Sequence, residues 1–516
     1  MAESNLVKTG IAGLDQVFLG GVLNGNVILV EGAPGTGKSL LGTTFIYRGI
    51  TEYNEPGIVV VFETSPHKLI RDAAGFGWDL DELQNQNKLK IIFTSPQVLD
   101  QELRSPDSLL LETAAEMRAK RIFIDGLSLL RTIQHPNGGN GNGAASYREL
   151  LQQLFEGLQR ENLTAVLSHE VMVREDHAAT LEIAEFLADT VIVLRREPSG
   201  PRIHRTLEIA KSRGQDYDSG KHTLCLGSKG PEVFRRVQAP PRGGEAQPTS
   251  TTKRSVVGVE ALDTLLGGGI FDGSTTLLVG ISGAGKTILS VQLLLEGVVK
   301  QGMRGLMVSL DEHPAQVSRN AATLGLDLQA QVDAGMITVY FESPQELNLD
   351  AHFHKIVRTI EENKIQRLVI DGMTSYSTAI KDQQLYRDFF HALIGYTKHH
   401  LITSFFNYEN PELFGLTHFM PEFAVSSIAD NIILMNFVEL GHTLHRAITV
   451  AKARGSKHEF ATREFEIGQG GIHLLPVEES AAIPVLPFQS YYGLLSRAPT
   501  RFSPRIPYEP IVKEST

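Results

Sequence analysis

The sequence is poor in cysteine. Its 516 residues include a single one, Cys225. One cysteine excludes an internal disulfide bond and every zinc or iron–sulfur site that needs several cysteines. Such low cysteine usage is typical of a reducing compartment, so we expect a cytoplasmic protein.

Long apolar segments are also missing. No stretch of about 18 or more apolar residues occurs, which is the length that a membrane-spanning helix needs. Near the start, Glu3 stands where a secretory signal peptide carries basic residues followed by an apolar run. We therefore expect neither membrane insertion nor secretion.

Positive charge is scarcer than negative charge. Lysine and arginine total 48 against 59 aspartates and glutamates, which gives a net charge of −11, and no basic run occurs. Such a chain shows no extended electrostatic footprint for nucleic acid, although a local positive channel stays open as an alternative. Hydrophobic residues make up 42% of the chain, so we expect folded domains, two to four of them at roughly 150 residues each.

The chain consists of two similar halves. The segments TGIAGLD and VILVEGAPGTGKS of the first half correspond in order to VGVEALD and TLLVGISGAGKT of the second. Further matching residues lie 248, 248, 246 and 241 positions apart: Lys38 and Lys286, Glu63 and Asp311, Asp125 and Asp371, Lys211 and Lys452. An internal repeat of this length predicts two copies of one domain.

Composition indicates the domain boundaries. We predict a first domain at 1–237, a linker rich in proline, glycine, serine and threonine at 238–253, a second domain at 254–483 and a loosely held tail at 484–516. Within each half, short β-branched runs alternate with longer amphipathic segments, which is typical of an α/β fold with a mainly parallel sheet covered by helices. Residues 135–146, rich in glycine and asparagine, predict an exposed loop.

Each half contains a phosphate-binding loop. GAPGTGKS at 32–39 and GISGAGKT at 280–287 both fit the pattern G-x-x-x-x-G-K-[ST]. The glycines turn backbone N–H groups toward phosphate oxygens, the lysine adds positive charge at the β and γ phosphates, and the last hydroxyl coordinates Mg²⁺. The residues that we expect to contact nucleotide here are Gly35, Thr36, Gly37, Lys38, Ser39, Leu40, Ser282, Gly283, Ala284, Gly285, Lys286, Thr287 and Ile288.

Carboxylates follow the predicted strands in both halves. Asp125 and Asp371 close the apolar runs RIFID and RLVID, where a buried strand delivers an acid that holds a metal near the phosphates. Glu63 and the pair Asp311-Glu312 follow other strands and are candidates to polarise an attacking water or hydroxyl. A helix N-terminus is an equal alternative for these last three acids, because a proline follows shortly after each.

A basic pair recurs near the end of each half, as Lys211-Ser212-Arg213 and Lys452-Ala453-Arg454. Residues two apart on a strand point to the same side, so each pair is able to reach the nucleotide of an adjacent subunit as an arginine finger. An ordinary solvated pair is the alternative, and recurrence in both halves favours function.

These motifs, in this order over nearly the whole chain, resemble those of the KaiC family, the duplicated RecA-like ATPases and autokinases of the cyanobacterial clock. The stretch SRAPTRF at 496–502 is similar as well. The resemblance implies two tandem RecA-like domains assembled as a two-tier homohexamer, with ATP and Mg²⁺ between neighbouring subunits. It implies that Arg446 joins the basic pairs on the neighbour's nucleotide, and that the metal is held by Ser39, Asp125, Thr287, Glu312 and Asp371.

The resemblance also assigns the catalytic roles. The family uses paired glutamates for slow ATP hydrolysis in the first half, where this chain has Glu63-Thr64 and thus one carboxylate. In the second half it implies that Asp311 is the general base and that Glu312 assists the metal. Catalysis is then assigned to Glu63, Asp311, Glu312, Arg213 and Arg454.

The family's phosphorylated Ser-Thr pair falls on Ser426 and Ser427 in the stretch AVSSIADNIILM. Without the resemblance, tandem serines before a strand are more often turn or cap residues. The first half has Glu185-Phe186 at the corresponding positions, with no hydroxyl to phosphorylate. We therefore expect a kinase in the second half and an ATPase without kinase activity in the first.

The functional expectation is an ATP-hydrolysing serine/threonine autokinase that acts as a clock- or timer-like signalling protein. A RecA-like DNA-dependent ATPase or recombinase is one alternative, and an ATP-switched scaffold without kinase activity is another. A KaiB-like partner at the N-terminal half stays open. Because the tail departs from the family pattern, we expect no dependence on a KaiA-type activator, and we expect no nucleic-acid partner.

Overall fold

The computed structural model describes residues 5–104, 108–132, 143–171, 183–199, 202–238, 251–380, 382–410, 425–440 and 443–476. The chain divides into two compact units, Met1–Arg236 and Val237–Thr516. Most of the predicted linker at 238–253 and all of the predicted tail at 484–516 lie outside the described residues. None of the described helices is long and apolar enough to cross a membrane.

The first unit alternates strands with helices, as its alternation of apolar runs and amphipathic segments predicts. Its strands are β1 (Leu6–Val7), β2 (Val22–Leu23), β3 (Val27–Gly32), β4 (Gly57–Val61), β5 (Leu89–Phe93), β6 (Arg121–Asp125), β7 (Thr164–Glu170), β8 (Thr190–Ser199), β9 (Arg202–Ser212), β10 (Lys221–Gly227) and β11 (Gly230–Phe234). Its helices are α1 (Leu14–Val17), α2 (Lys38–Tyr53), α3 (Pro66–Ala74), α4 (Leu80–Asn85), α5 (Pro96–Arg104), α6 (Leu109–Glu116), α7 (Gly143–Arg160) and α8 (Ile183–Leu187), with a 3-10 helix at Leu127–Thr132.

Within the described part of this unit, nine strands form one sheet in the order β5-β4-β6-β7-β3-β8-β9-β10-β11. The six strands from β5 to β8 are parallel, and β9, β10 and β11 extend the sheet antiparallel. Successive side chains of a strand point to opposite faces. Ile28 and Val30 therefore belong to one apolar cluster and Val27 and Leu29 to another, so both faces of the sheet are buried.

The second unit repeats this architecture. Its strands are β12 (Arg254–Ser255), β13 (Ile270–Phe271), β14 (Thr275–Gly280), β15 (Gly305–Ser309), β16 (Ile337–Phe341), β17 (Arg367–Asp371), β18 (Thr403–Glu409), β19 (Asn431–Leu440), β20 (Thr443–Ala453), β21 (Thr462–Gly468) and β22 (Gly471–Leu474). Its helices are α9 (Glu260–Leu265), α10 (Lys286–Gln301), α11 (Pro314–Thr323), α12 (Leu328–Asp333), α13 (Leu349–Asn363), α14 (Met373–Ala379), α15 (Gln383–His399) and α16 (Val425–Ile428), with a 3-10 helix at Pro344–Glu346.

Its described sheet has the order β16-β15-β17-β18-β14-β19-β20-β21-β22, which matches the first sheet strand for strand. The six strands from β16 to β19 are again parallel and the last three antiparallel. The predicted α/β class and the duplication of one RecA-like domain are confirmed.

The glycine-rich stretch after β6 is shorter than the sequence predicts. Helix α7 begins at Gly143, so the loop expected at 135–146 is wrong over its last four residues, where two alanines favour helix. Residues 135–142 lie outside the described residues.

A fully buried arginine at the start of β6 connects several segments of the first unit. Arg121 is 0% exposed, and its Nε donates to Oε2 of Glu55 at 2.6 Å. Its two terminal nitrogens donate to the carbonyl oxygens of Phe45 at 3.0 Å and Lys8 at 2.7 Å. Helix α2 permits this approach because it has Gly49 here, where a Cβ atom would lie 2.4 Å from Arg121. One guanidinium therefore joins three segments that are distant in sequence.

We expect Arg121→Ala to lower the free energy of unfolding of the first unit by roughly 3–5 kcal/mol, because it removes the partner of a carboxylate and of two carbonyls. Trp78 is the only tryptophan, is 3% exposed and stacks on the rings of Tyr47 and Phe76, so its fluorescence reports unfolding of this unit. A urea titration followed by this signal measures the change.

The matched control is Arg71→Ala, since the Arg71 side chain is 73% exposed. It should change the free energy of unfolding by less than about 0.5 kcal/mol. Equal unfolding midpoints for the two variants would contradict the structural role of Arg121.

Candidate active site

Each phosphate loop lies between the end of a central strand and the start of a helix. The first connects β3 to α2, and the second connects β14 to α10. The residue before each helix is a glycine in the left-handed region, Gly37 with φ 110° and Gly285 with φ 104°. Only glycine adopts this backbone without strain, so the loops need these residues to turn their N–H groups inward.

The loop lysines fold back over their own loops. Nζ of Lys38 donates to the carbonyl oxygens of Gly32 at 2.8 Å and Ala33 at 3.1 Å. Nζ of Lys286 makes the same two contacts in its loop, both at 2.8 Å. Burial lowers the pKa of both lysines, and nearby carboxylates oppose that shift. Each ammonium group therefore lies within its own loop, at the position where the motif predicts a phosphate.

The structure brings the predicted metal-binding hydroxyls and carboxylates together. Oγ of Ser39 donates to Oδ1 of Asp125 at 3.1 Å. In the second unit, Oγ1 of Thr287 donates to Oδ2 of Asp371 at 2.9 Å. The contacts form because β6 and β17 deliver their last residue to the same sheet edge as the phosphate loop.

Sequence reasoning missed the residues that hold these aspartates. Oγ of Ser168 donates to Asp125 at 2.6 Å, and Nδ2 of Asn407 donates to Asp371 at 2.8 Å. Burial raises the pKa of Asp371, and the hydrogen bonds from Asn407 and Thr287 oppose the rise. The two missed residues, Ser168 and Asn407, occupy equivalent positions in the strands TAVLSHE and TSFFNYE. An alignment of the two repeats is therefore the sequence signal that identifies them as a pair.

The second unit has an open cavity of about 530 Å³ beside its loop. Asp311 and Glu312 line it together with Lys286, Thr287 and Asp371. The cavity therefore unites the predicted base, both acids assigned to the metal and the phosphate loop.

The two neighbouring acids are held by different partners. Oγ of Ser375 donates to Oδ1 of Asp311, and Nδ2 of Asn320 donates to Oε2 of Glu312 at 3.2 Å. Burial raises the pKa of Glu312, and the negative charges of Asp371 and Asp311 raise it further. The cavity thus concentrates negative charge, which a cation bound with phosphate would offset.

The alternative of a helix cap does not hold for these acids. Ser65 caps α3 by accepting from the backbone N–H of Lys68, and His313 caps α11 by accepting from that of Ala315. Glu63 is exposed, and within the described residues its carboxylate has no hydrogen-bond or salt-bridge partner. The acids precede the caps and point elsewhere, so they are available for chemistry.

Each basic pair contacts the carboxyl end of a short helix in its own unit. Nζ of Lys211 donates to the carbonyl oxygens of Glu185 at 2.9 Å and Ala188 at 2.6 Å, and Arg213 donates to that of Phe186 at 2.9 Å. The intervening Ser212 lies 3.1 Å from Oγ1 of Thr190 through its hydroxyl. Cations at the carboxyl end of a helix offset its negative partial charge.

The second pair repeats this arrangement beside the predicted phosphorylation sites. Lys452 donates to the carbonyl oxygen of Ala429 at 2.7 Å, and Arg454 donates to that of Ser427 at 2.8 Å. Ala453 between them pairs with Asn431 at the start of β19. Ser427 is exposed on α16, and Ser426 precedes it on the same helix.

The group formed by Ser427, Lys452 and Arg454 lies at the amino ends of the parallel strands. The phosphate loop of the same chain lies at their carboxyl ends. Asp430 forms two hydrogen bonds with Thr275 at the start of β14, at 2.9 and 3.0 Å. The loop follows Gly280 at the end of β14, five residues further on, or roughly 17 Å at about 3.3 Å per residue. The predicted site residues therefore form two separate groups.

Arg446 lies near the phosphate loop of its own chain. Its Nε lies 3.5 Å from the carbonyl oxygen of Gly283, and its guanidinium lies 5.3 Å from the ring centre of Phe437. This position arises because β20 runs antiparallel to β19, so Arg446 is seven residues closer to the loop than Ala453. Its contact with a neighbour's nucleotide stays a prediction.

Comparison with known proteins finds the same family in both halves of the chain. The family model described as "ATPase: KaiC" matches residues 7–238 and again 256–479. The circadian clock oscillator protein KaiC of Picosynechococcus sp. is 32% identical over 504 residues, covering 96% of this chain and 93% of the relative. That of Thermosynechococcus vestitus is 32% identical over 509 residues, covering 97% and 93%, and that of Acaryochloris marina is 31% identical over 508 residues, covering 97% and 92%.

Both repeats match the family model, and the relatives match along nearly their whole length. The two phosphate loops, each with a hydroxyl and a carboxylate at hydrogen-bonding distance, occur in both matched regions. The chain therefore belongs to the KaiC family of ATPases.

Proposed function

We propose that this chain is a KaiC-type ATPase whose C-terminal site transfers the γ-phosphate of ATP to Ser426 and Ser427 of a neighbouring copy in a homohexamer. The observation that carries the proposal is the separation of the two groups of site residues. Ser427 and the pair Lys452 and Arg454 share one sheet edge, while the phosphate loop and the acids share the other. Two copies together complete one site.

The donor set fits Mg²⁺ bound with ATP. Hard oxygen donors are the ligands that Mg²⁺ prefers, and it usually keeps several waters. Ser39 with Asp125, and Thr287 with Asp371 and Glu312, would hold it, and it would offset negative charge on the phosphates. The loop backbones and the two loop lysines bind the phosphate oxygens directly.

Asp311 is placed to accept the proton of an incoming serine hydroxyl. The serine Oγ forms a bond to the γ-phosphorus while the bond from that phosphorus to the β–γ bridging oxygen breaks, and ADP leaves. Lys452 and Arg454, which arrive with the neighbour's serines, add positive charge where it is needed in the transition state. When water takes the place of the hydroxyl, the same groups hydrolyse ATP.

The first unit has groups suited to ATP hydrolysis and lacks the serine pair that phosphate transfer needs. Glu185 and Phe186 occupy the positions of the two serines, so these two positions offer no hydroxyl. Glu63 is its single carboxylate after β4, and it is exposed. We therefore assign ATP hydrolysis to this unit and phosphate transfer to the other.

The relatives are named as circadian clock oscillator proteins, and we extend a regulatory, timer-like role to this chain. ATP turnover and the phosphorylation state would set which partner protein it binds, with a KaiB-like partner at the N-terminal unit as one option. The net charge of −11 disfavours the rival DNA-dependent ATPase, which needs a positive path for the phosphate backbone.

Both units should bind ATP independently. Lys38→Ala and Lys286→Ala each remove the positive charge from one phosphate loop, so each should halve the stoichiometry from two ATP molecules per chain to one. Isothermal titration calorimetry measures this number directly. Lys300→Ala, which removes an exposed lysine at the far end of α10, is the control and should retain two sites. Full stoichiometry in the Lys286→Ala chain would contradict the assignment of the second site.

Phosphate transfer between chains is tested by mixing two defective chains. One has Asp311→Asn with both serines intact, and the other has an intact site with Ser426→Ala and Ser427→Ala. Neither should become phosphorylated alone, and after co-assembly with Mg²⁺ and ATP the Asp311→Asn chain should carry phosphate on its serines. Phosphopeptide mass spectrometry distinguishes the two chains by their different serine-region peptides.

Two outcomes of this mixing experiment would be informative against the proposal. Phosphate on wild-type chains but never on mixed ones means transfer within one chain, contrary to the separation at the two sheet edges. Unmodified serines in wild-type chains that hydrolyse ATP mean an ATP-driven switch without kinase activity. A Lys286→Ala chain in place of Asp311→Asn checks that the first result does not depend on one variant.

A further inference from the structure

The second unit contains a buried polar cluster that the proposed mechanism does not use. Nδ1 of His352 lies 2.8 Å from Oε2 of Glu342, and its Nε2 lies 2.6 Å from the hydroxyl of Tyr376. His352 is 1% exposed and Tyr376 is 0% exposed. Tyr340 contacts the same carboxylate of Glu342 through its hydroxyl. Buried polar groups of this kind hold their elements in one arrangement when every member has a partner.

A neutral His352 ring satisfies every contact in this cluster. Burial raises the pKa of Tyr376 well above its usual range, and the charge of Glu342 adds to the rise, so the phenol keeps its proton. It therefore donates to Nε2 of His352, which leaves the ring proton on Nδ1 to be donated to Glu342. The three side chains form one continuous hydrogen-bonded chain.

This chain ends on the helix that supports the candidate base. Tyr376 lies on α14, which begins two residues after Asp371. Its ring packs against Phe389 and Phe390 of α15, on the core side of α14. The preceding residue, Ser375, lines the cavity and donates to Asp311. One short helix thus carries the anchor on one side and the contact to the base on the other.

A small rotation of α14 is enough to break the contact with Asp311. Side-chain atoms lie about 5 Å from a helix axis, so a turn of roughly 15° moves the hydroxyl of Ser375 by about 1.3 Å. Thr374 also fixes this helix through two hydrogen bonds to the backbone of Glu409. In the first unit, the backbone N–H of Glu170 donates to Oγ of Ser128 at the corresponding positions. The contact between Thr374 and Glu409 therefore does not distinguish the two units.

The first unit provides an internal comparison. In the aligned stretches KIIFTSP and TVYFESP, Ile92 and Thr94 stand at the positions of Tyr340 and Glu342. In IDGLSLL and IDGMTSY, Leu129 and Leu130 stand at the positions of Ser375 and Tyr376. Glu63 and Asp311 are both exposed, but only Asp311 has a hydroxyl that donates to it among the described residues. The anchor and that hydroxyl are therefore absent together from the first unit.

We propose that Glu342, His352 and Tyr376 form a positioning network that fixes α14 so that Ser375 orients Asp311 for catalysis in the C-terminal site. The inference rests on the proposed function, because it needs Asp311 to act on a bound ATP. None of the three residues lines the cavity, whereas Ser375 does, so all three act through Ser375.

The test uses the full chain with Lys38→Ala as parent, so that ATP turnover comes from the C-terminal site. Tyr376→Phe removes one hydroxyl and keeps the ring. It should lower kcat by about 10-fold or more while KM for ATP changes less than twofold, because misplacement of a reacting group acts on the chemical step. Tyr396→Phe removes a hydroxyl that donates to Oε1 of Glu361 at 3.1 Å and joins α15 to α13 rather than to α14, so it should leave kcat within twofold.

A double-mutant cycle separates positioning from general stability. If Tyr376 acts through Ser375, then Tyr376→Phe combined with Ser375→Ala should be no slower than Ser375→Ala alone. Glu342→Gln keeps an oxygen that accepts from His352 and should retain activity, whereas Glu342→Leu should match Tyr376→Phe.

Additive losses in the cycle, or equal losses in Tyr376→Phe and Tyr396→Phe, would overturn the network. Wild-type kcat in Tyr376→Phe would overturn it as well and leave the proposed function standing. A Lys38→Ala parent without any ATP turnover would overturn the proposed function itself, and the network with it. Thermal unfolding followed by circular dichroism identifies any variant that loses its fold. If Tyr376→Phe does so, the comparison of Glu342→Gln with Glu342→Leu decides the test in its place.

Discussion

The direction of one central strand in each unit determines where the chemistry lies. Strand β14 begins at Thr275, bonded to Asp430 beside the serine-bearing helix, and ends at Gly280, where the phosphate loop starts. All parallel neighbours deliver their carboxyl ends to that same loop edge. The serines and the basic pair are consequently held away from the ATP site of their own chain. Assembly with a second copy is therefore a geometric requirement of the proposed kinase rather than an addition to it.

Duplication gives two sites that share one strand order and differ in the side chains around the phosphate loop. Both have a phosphate loop whose hydroxyl contacts an aspartate, and both aspartates have a second hydrogen-bond donor from the adjacent strand. The second unit adds a hydroxyl that contacts the proposed base, Asp311, and it exposes Ser427 at the other end of its strands. Since the sheet order is the same, these differences arise from side chains and from the elements between the strands. In the proposed function, such separation would let one unit turn over ATP while the other changes its modification state.

The sequence predicts the α/β class, the duplication and both loops, because these depend on local patterns with a fixed backbone meaning. It also places Asp125 and Asp371 correctly, since a strand that ends on an acid delivers it to the loop edge. It does not predict Asn407 as the partner of Asp371, because that contact joins strands distant in sequence. The sequence does not predict the cluster around Tyr376 for the same reason: its contacts depend on packing between elements, which periodicity does not encode.

The central claim is that each C-terminal site is completed by the serines of another copy. Cryo-electron microscopy of the wild-type chain with Mg²⁺ and a non-hydrolysable ATP analogue tests it most directly. We predict a ring in which the γ-phosphate on Lys286 lies closer to Ser427 of the adjacent subunit than to Ser427 of its own chain. A single chain in which its own Ser427 approaches the γ-phosphate, or a ring whose interfaces leave the serines far from any nucleotide, would contradict the account.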